Sequence, residues 1–132
     1  MKYLLDTHTF LWSLFSPENL SKDSLNLIEN PENEIFASII TFWEISLKYN
    51  LRKLELENVE PEELPDLAKQ TGYDIFNLNE YDVSSFHKLP KHSHKDPFDR
   101  LLIWQSIQNN MTIVSKDGNF DEYKSLGLKV FW

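Results

Sequence analysis

Five short apolar runs recur along the chain: Tyr3-Leu4-Leu5, Ile35-Phe36-Ala37, Asp74-Ile75-Phe76, Thr112-Ile113-Val114 and Leu128-Lys129-Val130-Phe131. Their β-branched and aromatic content and their brevity read as buried strands. Helical spacing fills the intervals. Ser21 to Glu29 places Leu20, Ser24, Leu25, Leu27 and Ile28 on one face; Thr41 opens a helix running toward Leu51; Pro61 to Gln70 is a third, stopped by Gly72; Asn79 to Leu89 is a fourth. Pro97 to Asn109 is the longest, with Pro in its first turn and Asn-Asn at its end. A short helical turn follows Gly118. Short apolar strands alternating with helices argue for an α/β fold: a central parallel sheet of about four to five short strands, flanked by helices.

In such sheets the chemistry lies beyond the carboxyl ends of the strands. The first strand runs into Asp6-Thr7-His8 and the fourth into Ser115-Lys116-Asp117. The second ends at Ser38, and the helix after it carries Glu44. The long helix opens with Asp96-Pro97-Phe98-Asp99-Arg100. Each acid also has a structural reading. Asp6 can cap a short helix starting near Thr7, and Thr41 to Glu44 has the spacing of a capping box. Asp96 before Pro97 is a natural N-cap, Asp99 suits a first turn, and Asp117-Gly118 is a turn pair. Taken together, Asp6, Glu44, Asp99 and Asp117 are expected to converge on one rim. Clustered carboxylates repel, and a divalent cation removes that repulsion. An all-oxygen donor set in a chain without cysteine selects Mg²⁺ or Mn²⁺ rather than zinc. Such an ion activates water for phosphodiester hydrolysis.

The blocks Tyr3-Leu4-Leu5-Asp6-Thr7-His8, Ile39-Ile40-Thr41-Phe42-Trp43-Glu44-Ile45, His94-Lys95-Asp96-Pro97-Phe98-Asp99-Arg100-Leu101-Leu102-Ile103 and Val114-Ser115-Lys116-Asp117 resemble the PIN domain, specifically VapC-like toxins of bacterial type II toxin–antitoxin modules. The resemblance runs from the first strand to the last. It implies a Mg²⁺- or Mn²⁺-dependent ribonuclease, often a homodimer, neutralised by a small antitoxin encoded beside it. Carried over, Asp6, Glu44, Asp99 and Asp117 match the acidic quartet and its metal ligands. Ser115 matches a supporting Ser or Thr, with Thr7 and Asp96 as further supporting residues. Trp104 departs from the family, which has a small residue there; it is expected to alter helix packing and leave the acids alone.

Composition narrows the rest. The 132 residues suit one domain, 1–132, with no linker or repeat. The absence of cysteine excludes a disulfide scaffold, thiolate zinc sites and a cysteine nucleophile. No run approaches the roughly 18 apolar residues of a membrane span, and the N-terminus meets Asp6 before a signal peptide could form. The expectation is a soluble, cytoplasmic protein.

The net charge of −8 argues alone against a nucleic-acid partner. Its distribution reverses that reading. Glu55, Glu57, Glu60, Glu62, Glu63 and Asp66 crowd residues 55–66 with no Lys or Arg, read as a solvated helix face. Residues 87–95 hold Lys88, Lys91 and Lys95 with His87, His92 and His94, and no acid. Lys88, Lys91, His92, His94, Lys95 and Arg100 are therefore expected to meet RNA. His92 and His94 could instead bind a transition metal, a reading that Lys91 and Lys95 oppose. Of the aromatic residues, Trp12 and Trp43 lie near enough to the acidic rim for base stacking.

Two other enzyme classes fit less well. A haloacid-dehalogenase-like phosphatase wants a second Asp where His8 stands, and a receiver domain wants an Asp where Asn77 and Asn79 stand. A non-catalytic PIN-fold binding module keeps the fold without the activity.

Overall fold

All five apolar runs are strands, and all pair in parallel. In the computed structural model, which describes residues 1–91 and 95–132, the strands are β1 (Lys2–Leu5), β2 (Glu34–Ser38), β3 (Asp74–Phe76), β4 (Thr112–Val114) and β5 (Lys129–Phe131). Their order across the sheet is β3-β2-β1-β4-β5, with β1 central. Leu5 lies opposite Ala37 of β2 on one side and Val114 of β4 on the other.

Alternation along each strand splits the core in two. Leu4 and Ile113 point to one face, with Ile40, Leu102, Ile103, Trp104, Phe120 and Tyr123. Leu5, Ile35, Ala37 and Val114 point to the other, with Phe10, Leu27, Ile45, Leu64 and Ala68. A strand apolar on both sides has no solvated face to reveal a period of two, which is why these runs read as continuous.

Among the described residues six α-helices cover the two faces: α1 (Thr7–Phe15), α2 (Lys22–Glu29), α3 (Ile39–Asn50), α4 (Leu64–Thr71), α5 (Glu80–Ser84) and α6 (Pro97–Gln108). Gly72 stops α4 at φ +100°, a left-handed cap that a side chain would strain. Asp6 caps a helix that starts at Thr7, as expected, and that helix runs for nine residues. Three sequence expectations shift. α3 begins at Ile39, two residues before Thr41, because the Ser38 hydroxyl accepts the Ile40 N–H and donates to Gln105 Oε1 at 2.7 Å. The Thr41–Glu44 capping box therefore does not exist: both residues lie inside the helix. The segment from Asn79 to Leu89 breaks into α5 and a 3₁₀ turn at Phe86–Lys88. The acidic stretch 55–66 is mostly not a helix face. Glu55, Glu57 and Glu60 precede the 3₁₀ turn Pro61–Glu63 in irregular chain, and regular α-helix starts only at Leu64.

Trp104 packs in the core beside α5, its indole N–H donating to Ser85 Oγ at 3.0 Å. Among the described residues no helix is long and apolar enough to cross a membrane.

Candidate active site

The strand order reverses between β1 and β4: β2 and β3 lie to one side of β1, β4 and β5 to the other. At such a switch point the connections leave in opposite directions and open a crevice beyond the carboxyl ends. Asp6 and Ser115 follow directly on these two strands. The Asp6 backbone N–H bonds to Val114 O at 3.2 Å, so the chain is still held to the sheet where the acid projects.

The Asp6 side chain has two roles here. Oδ1 accepts the Thr9 N–H at 2.8 Å and caps α1; Oδ2 accepts the Ser115 hydroxyl at 2.5 Å. Ser115 Oγ in turn accepts the Asp117 N–H at 3.1 Å, fixing the start of the next turn. Asp117 caps that turn by accepting the Asn119 N–H at 2.9 Å. Asp6 is only 5% exposed, and none of these partners is a Lys or Arg. Burial pushes its carboxyl above the ordinary carboxylate range, against the opposing pull of the Ser115 and Thr9 hydrogen bonds and the His8 charge.

Glu44, 2% exposed, is held from both ends. Oε1 accepts the Thr7 hydroxyl at 2.6 Å, and Thr7 Oγ1 lies 3.3 Å from Thr41 Oγ1. Oε2 pairs with the Lys48 ammonium one helical turn on. Burial would lower the Lys48 pKa. The Glu44 hydrogen bond and charge, with the charges of Asp96 and Asp99, outweigh it and hold the ammonium above its ordinary range. Lys48 is paired with Glu44 and also lies within the field of the acids that open α6. Sequence reading missed it, although Glu44 and Lys48 have the i,i+4 spacing of a helix pair. At α6, Asp96 is the N-cap, its Oδ1 accepting the Asp99 N–H at 3.0 Å, and Asp99 lies half-buried in the first turn.

Ser115 joins Asp6 to the backbone of Asp117, and Thr7 and Lys48 hold the two oxygens of Glu44. No three of the described His, Asp and Glu side chains form a ready cation cage. The chemistry of the donors nevertheless fits a hard cation. Every ligand would be an oxygen, and Asp6 is a buried carboxyl with no Lys or Arg bonded to it among the described residues. Asp82, another buried acid, accepts from the Asn79 and Asn109 side chains instead.

Comparison with known proteins places this geometry in a family. A model of the PIN domain matches residues 3–126. The chain belongs to the PIN domain family. Among solved structures it is similar to VapBC2 of Rickettsia felis bound to a DNA fragment from its promoter, at 19% identity, TM-score 0.69, covering 99% of this chain and 98% of that one. It is also similar to DNA-bound VapBC of Salmonella typhimurium (15%, TM-score 0.63, 99% and 97%) and VapBC-1 of nontypeable Haemophilus influenzae (16%, TM-score 0.65, 99% and 97%). At these identities the likeness is one of fold. None of the curated proteins matches. PIN domains are as a class nucleases, which makes the acidic crevice of this PIN domain its candidate active site.

Of the residues expected to meet RNA, Lys88, Lys91 and Lys95 are exposed, and His92 and His94 lie outside the described residues. Arg100 departs from that expectation. Its Nη2 donates to the Leu89 and Pro90 carbonyls at 3.1 Å each, and its guanidinium lies 5.1 Å from the Phe86 ring centre. It anchors the start of the basic loop. The two tryptophans separate as well. Trp43 meets Phe98 edge-on and lines an apolar notch with Val83, Phe86, Pro97 and Leu101. Trp12 lines a cleft with Asp6 and Asp117. A separate cleft of about 930 Å³ lies between α3 and residues 54–65 and is lined by none of the four acids.

Proposed function

We propose that this PIN domain is a VapC-like toxin: a Mg²⁺- or Mn²⁺-dependent endoribonuclease of a type II toxin–antitoxin pair, acting in the cytoplasm and restrained by a cognate antitoxin. The observation that carries the reading is Asp6, a buried carboxyl at the sheet's switch point. A hydroxyl and an N–H bond to it, and among the described residues no cationic side chain does. Asp6, Glu44, Asp99 and Asp117 would hold the cation, which when bound supplies a nucleophilic water and charge for the phosphoryl oxygens. The chain's own residues set the stage. Ser115 orients Asp6, Thr7 and Lys48 orient the two oxygens of Glu44, and Asp96 fixes the start of α6 from which Asp99 projects. The exposed lysines Lys88, Lys91 and Lys95 draw in the phosphate backbone although the protein is acidic overall.

The test is cleavage of single-stranded and structured RNA by the purified protein in Mn²⁺ and in EDTA. Metal-dependent cutting supports the reading; no cutting at millimolar Mg²⁺ or Mn²⁺ leaves the non-catalytic module. Lys91→Ala with Lys95→Ala should weaken RNA binding and flatten its salt dependence by roughly 1.4 in log–log slope, at about 0.7 for each phosphate no longer neutralised. Metal binding should be untouched. Unchanged RNA affinity would make the loop a solvated connection only.

A homodimer is part of the proposal. Ile39, Trp43, Leu47 and Leu51 are all exposed and follow one another at four-residue spacing along α3 and its cap. Such an apolar stripe on a helix favours association. Trp43→Glu should shift the sedimentation coefficient from dimer to monomer; a parent that sediments as a monomer at high micromolar concentration would remove this element.

A further inference from the structure

The cleft beside Asp6 and Asp117 has a second wall that the acids do not explain. It holds about 260 Å³ and is completed by His8, Trp12 and Lys116. We propose that it is a nucleobase subsite, in which Trp12 stacks a base of single-stranded RNA and Lys116 meets an adjoining phosphate. The proposal rests on the RNA-cleaving reading for its choice of ligand.

Three observations carry it. First, the aromatic face is built in advance. His8 and Trp12 are one turn apart on α1, with ring centres 5.7 Å apart and planes inclined at 39°. Trp132, from the far end of the chain, meets Trp12 edge-on at 6.1 Å. A half-buried indole braced from two sides loses little freedom when a base lands on it. Second, the size is right. The volume falls below the roughly 300 Å³ at which pockets for drug-sized ligands begin, and suits a single planar heterocycle. Third, the charges sort the parts of a nucleotide. A neutral base is not repelled by Asp6 and Asp117, and its ring or exocyclic N–H groups can donate to them. The phosphate is drawn instead to Lys116, the exposed cation of the cleft. Trp43 lacks this setting, since its notch holds no acid and no base. The subsite adjoins two of the four acids, so a stacked base would place its own phosphodiester at the crevice.

The test measures binding, without turnover, by fluorescence anisotropy of a labelled uridine hexaribonucleotide in EDTA. Trp12→Leu should weaken binding about 5- to 150-fold, the range for removal of one base stack, and Trp12→Phe should recover most of it. Lys116→Ala should lower the salt slope by about 0.7. On the unaltered protein, a hexamer of abasic riboses should bind weaker by a similar factor, a comparison that needs no variant to fold. Equal binding of the abasic and uridine hexamers overturns the proposal. So does a folded Trp12→Leu protein that binds as the parent does. If the parent cuts RNA in Mn²⁺ while Trp12→Leu binds and cuts equally well, the subsite falls and the nuclease stands. If Trp12 governs binding but nothing is cut, the subsite stands and the nuclease falls. A parent that binds no RNA removes both.

Discussion

Asp6→Asn should melt at a higher temperature than the parent in EDTA near neutral pH, and should gain nothing from Mn²⁺. The sign follows from burial, which raises the folded-state pKa of Asp6 above its ordinary value. The folded protein therefore favours the protonated acid. Stability from this group is present below the ordinary carboxylate range and is lost as pH climbs to the raised value. Above that, the full penalty of a buried charge remains. Asn carries no charge, and its amide can keep both bonds, accepting from Thr9 N–H and donating to Ser115 Oγ. The difference between variant and parent should thus open as pH rises through that window and then level off. Added Mn²⁺ should reverse the order. A ligand at roughly 100 times its Kd stabilises by about 2.7 kcal/mol, roughly 10 °C for a domain of this size. Thermal scans from pH 4 to 8, with and without metal, check both halves. A variant that melts lower than the parent at every pH, or that still responds to metal, would show that Asp6 is a stabilising structural carboxylate.

The second large effect separates the two acids that open α6. Asp99→Asn should fold and lose at least about 100-fold in metal-dependent cleavage. Asp96→Asn should fold and stay within about tenfold of the parent. Lys48 feels both charges, so proximity to the site does not distinguish them. Their local roles do. The Asp96 side chain is engaged by the Asp99 N–H as the helix cap, a role that Asn fills about as well. Asp99 lies in the first turn, inside the cap that Asp96 provides, and amidation removes a ligand charge. Rates in Mn²⁺ and metal-induced shifts in melting temperature, measured on both variants, decide it. An inactive Asp96→Asn beside an active Asp99→Asn would exchange their roles.

The five strands were legible because parallel strands buried on both faces concentrate apolar residues into short runs, and Leu4, Leu5, Ile113 and Val114 do so plainly. The rim followed from topology: once the strands are parallel, residues 6, 38 and 115 must end at one edge. α1 was less visible. Phe10 is fully buried but Leu11, Trp12 and Leu14 are only half-buried, so the segment Thr7–Phe15 is apolar on too many sides to show one stripe. The start of α3 was misplaced because Ser38 and Thr41 are equally good caps locally. The choice is made by Gln105, 67 residues away, which bonds to the Ser38 hydroxyl. Glu44 could be picked as an acid near the rim, but its dependence on Thr7 lies 37 residues off and has no local signature. That hydroxyls and a lysine hold Asp6 and Glu44, and that no ready cation cage forms among the described residues, is a matter of side-chain geometry that spacing does not encode.

The Ser115–Asp6 hydrogen bond spans 109 residues, and β1 needs β4 as a neighbour before the crevice has two walls. During synthesis the N-terminal acid emerges early and waits. Until Ser115 and Asp117 have left the ribosome, the chain holds Asp6, Glu44 and Asp99 without the strand that completes their setting. Under the proposed function, an enzyme that destroys RNA would thereby be inert on the ribosome until β4 and the residues after it have emerged and paired with β1.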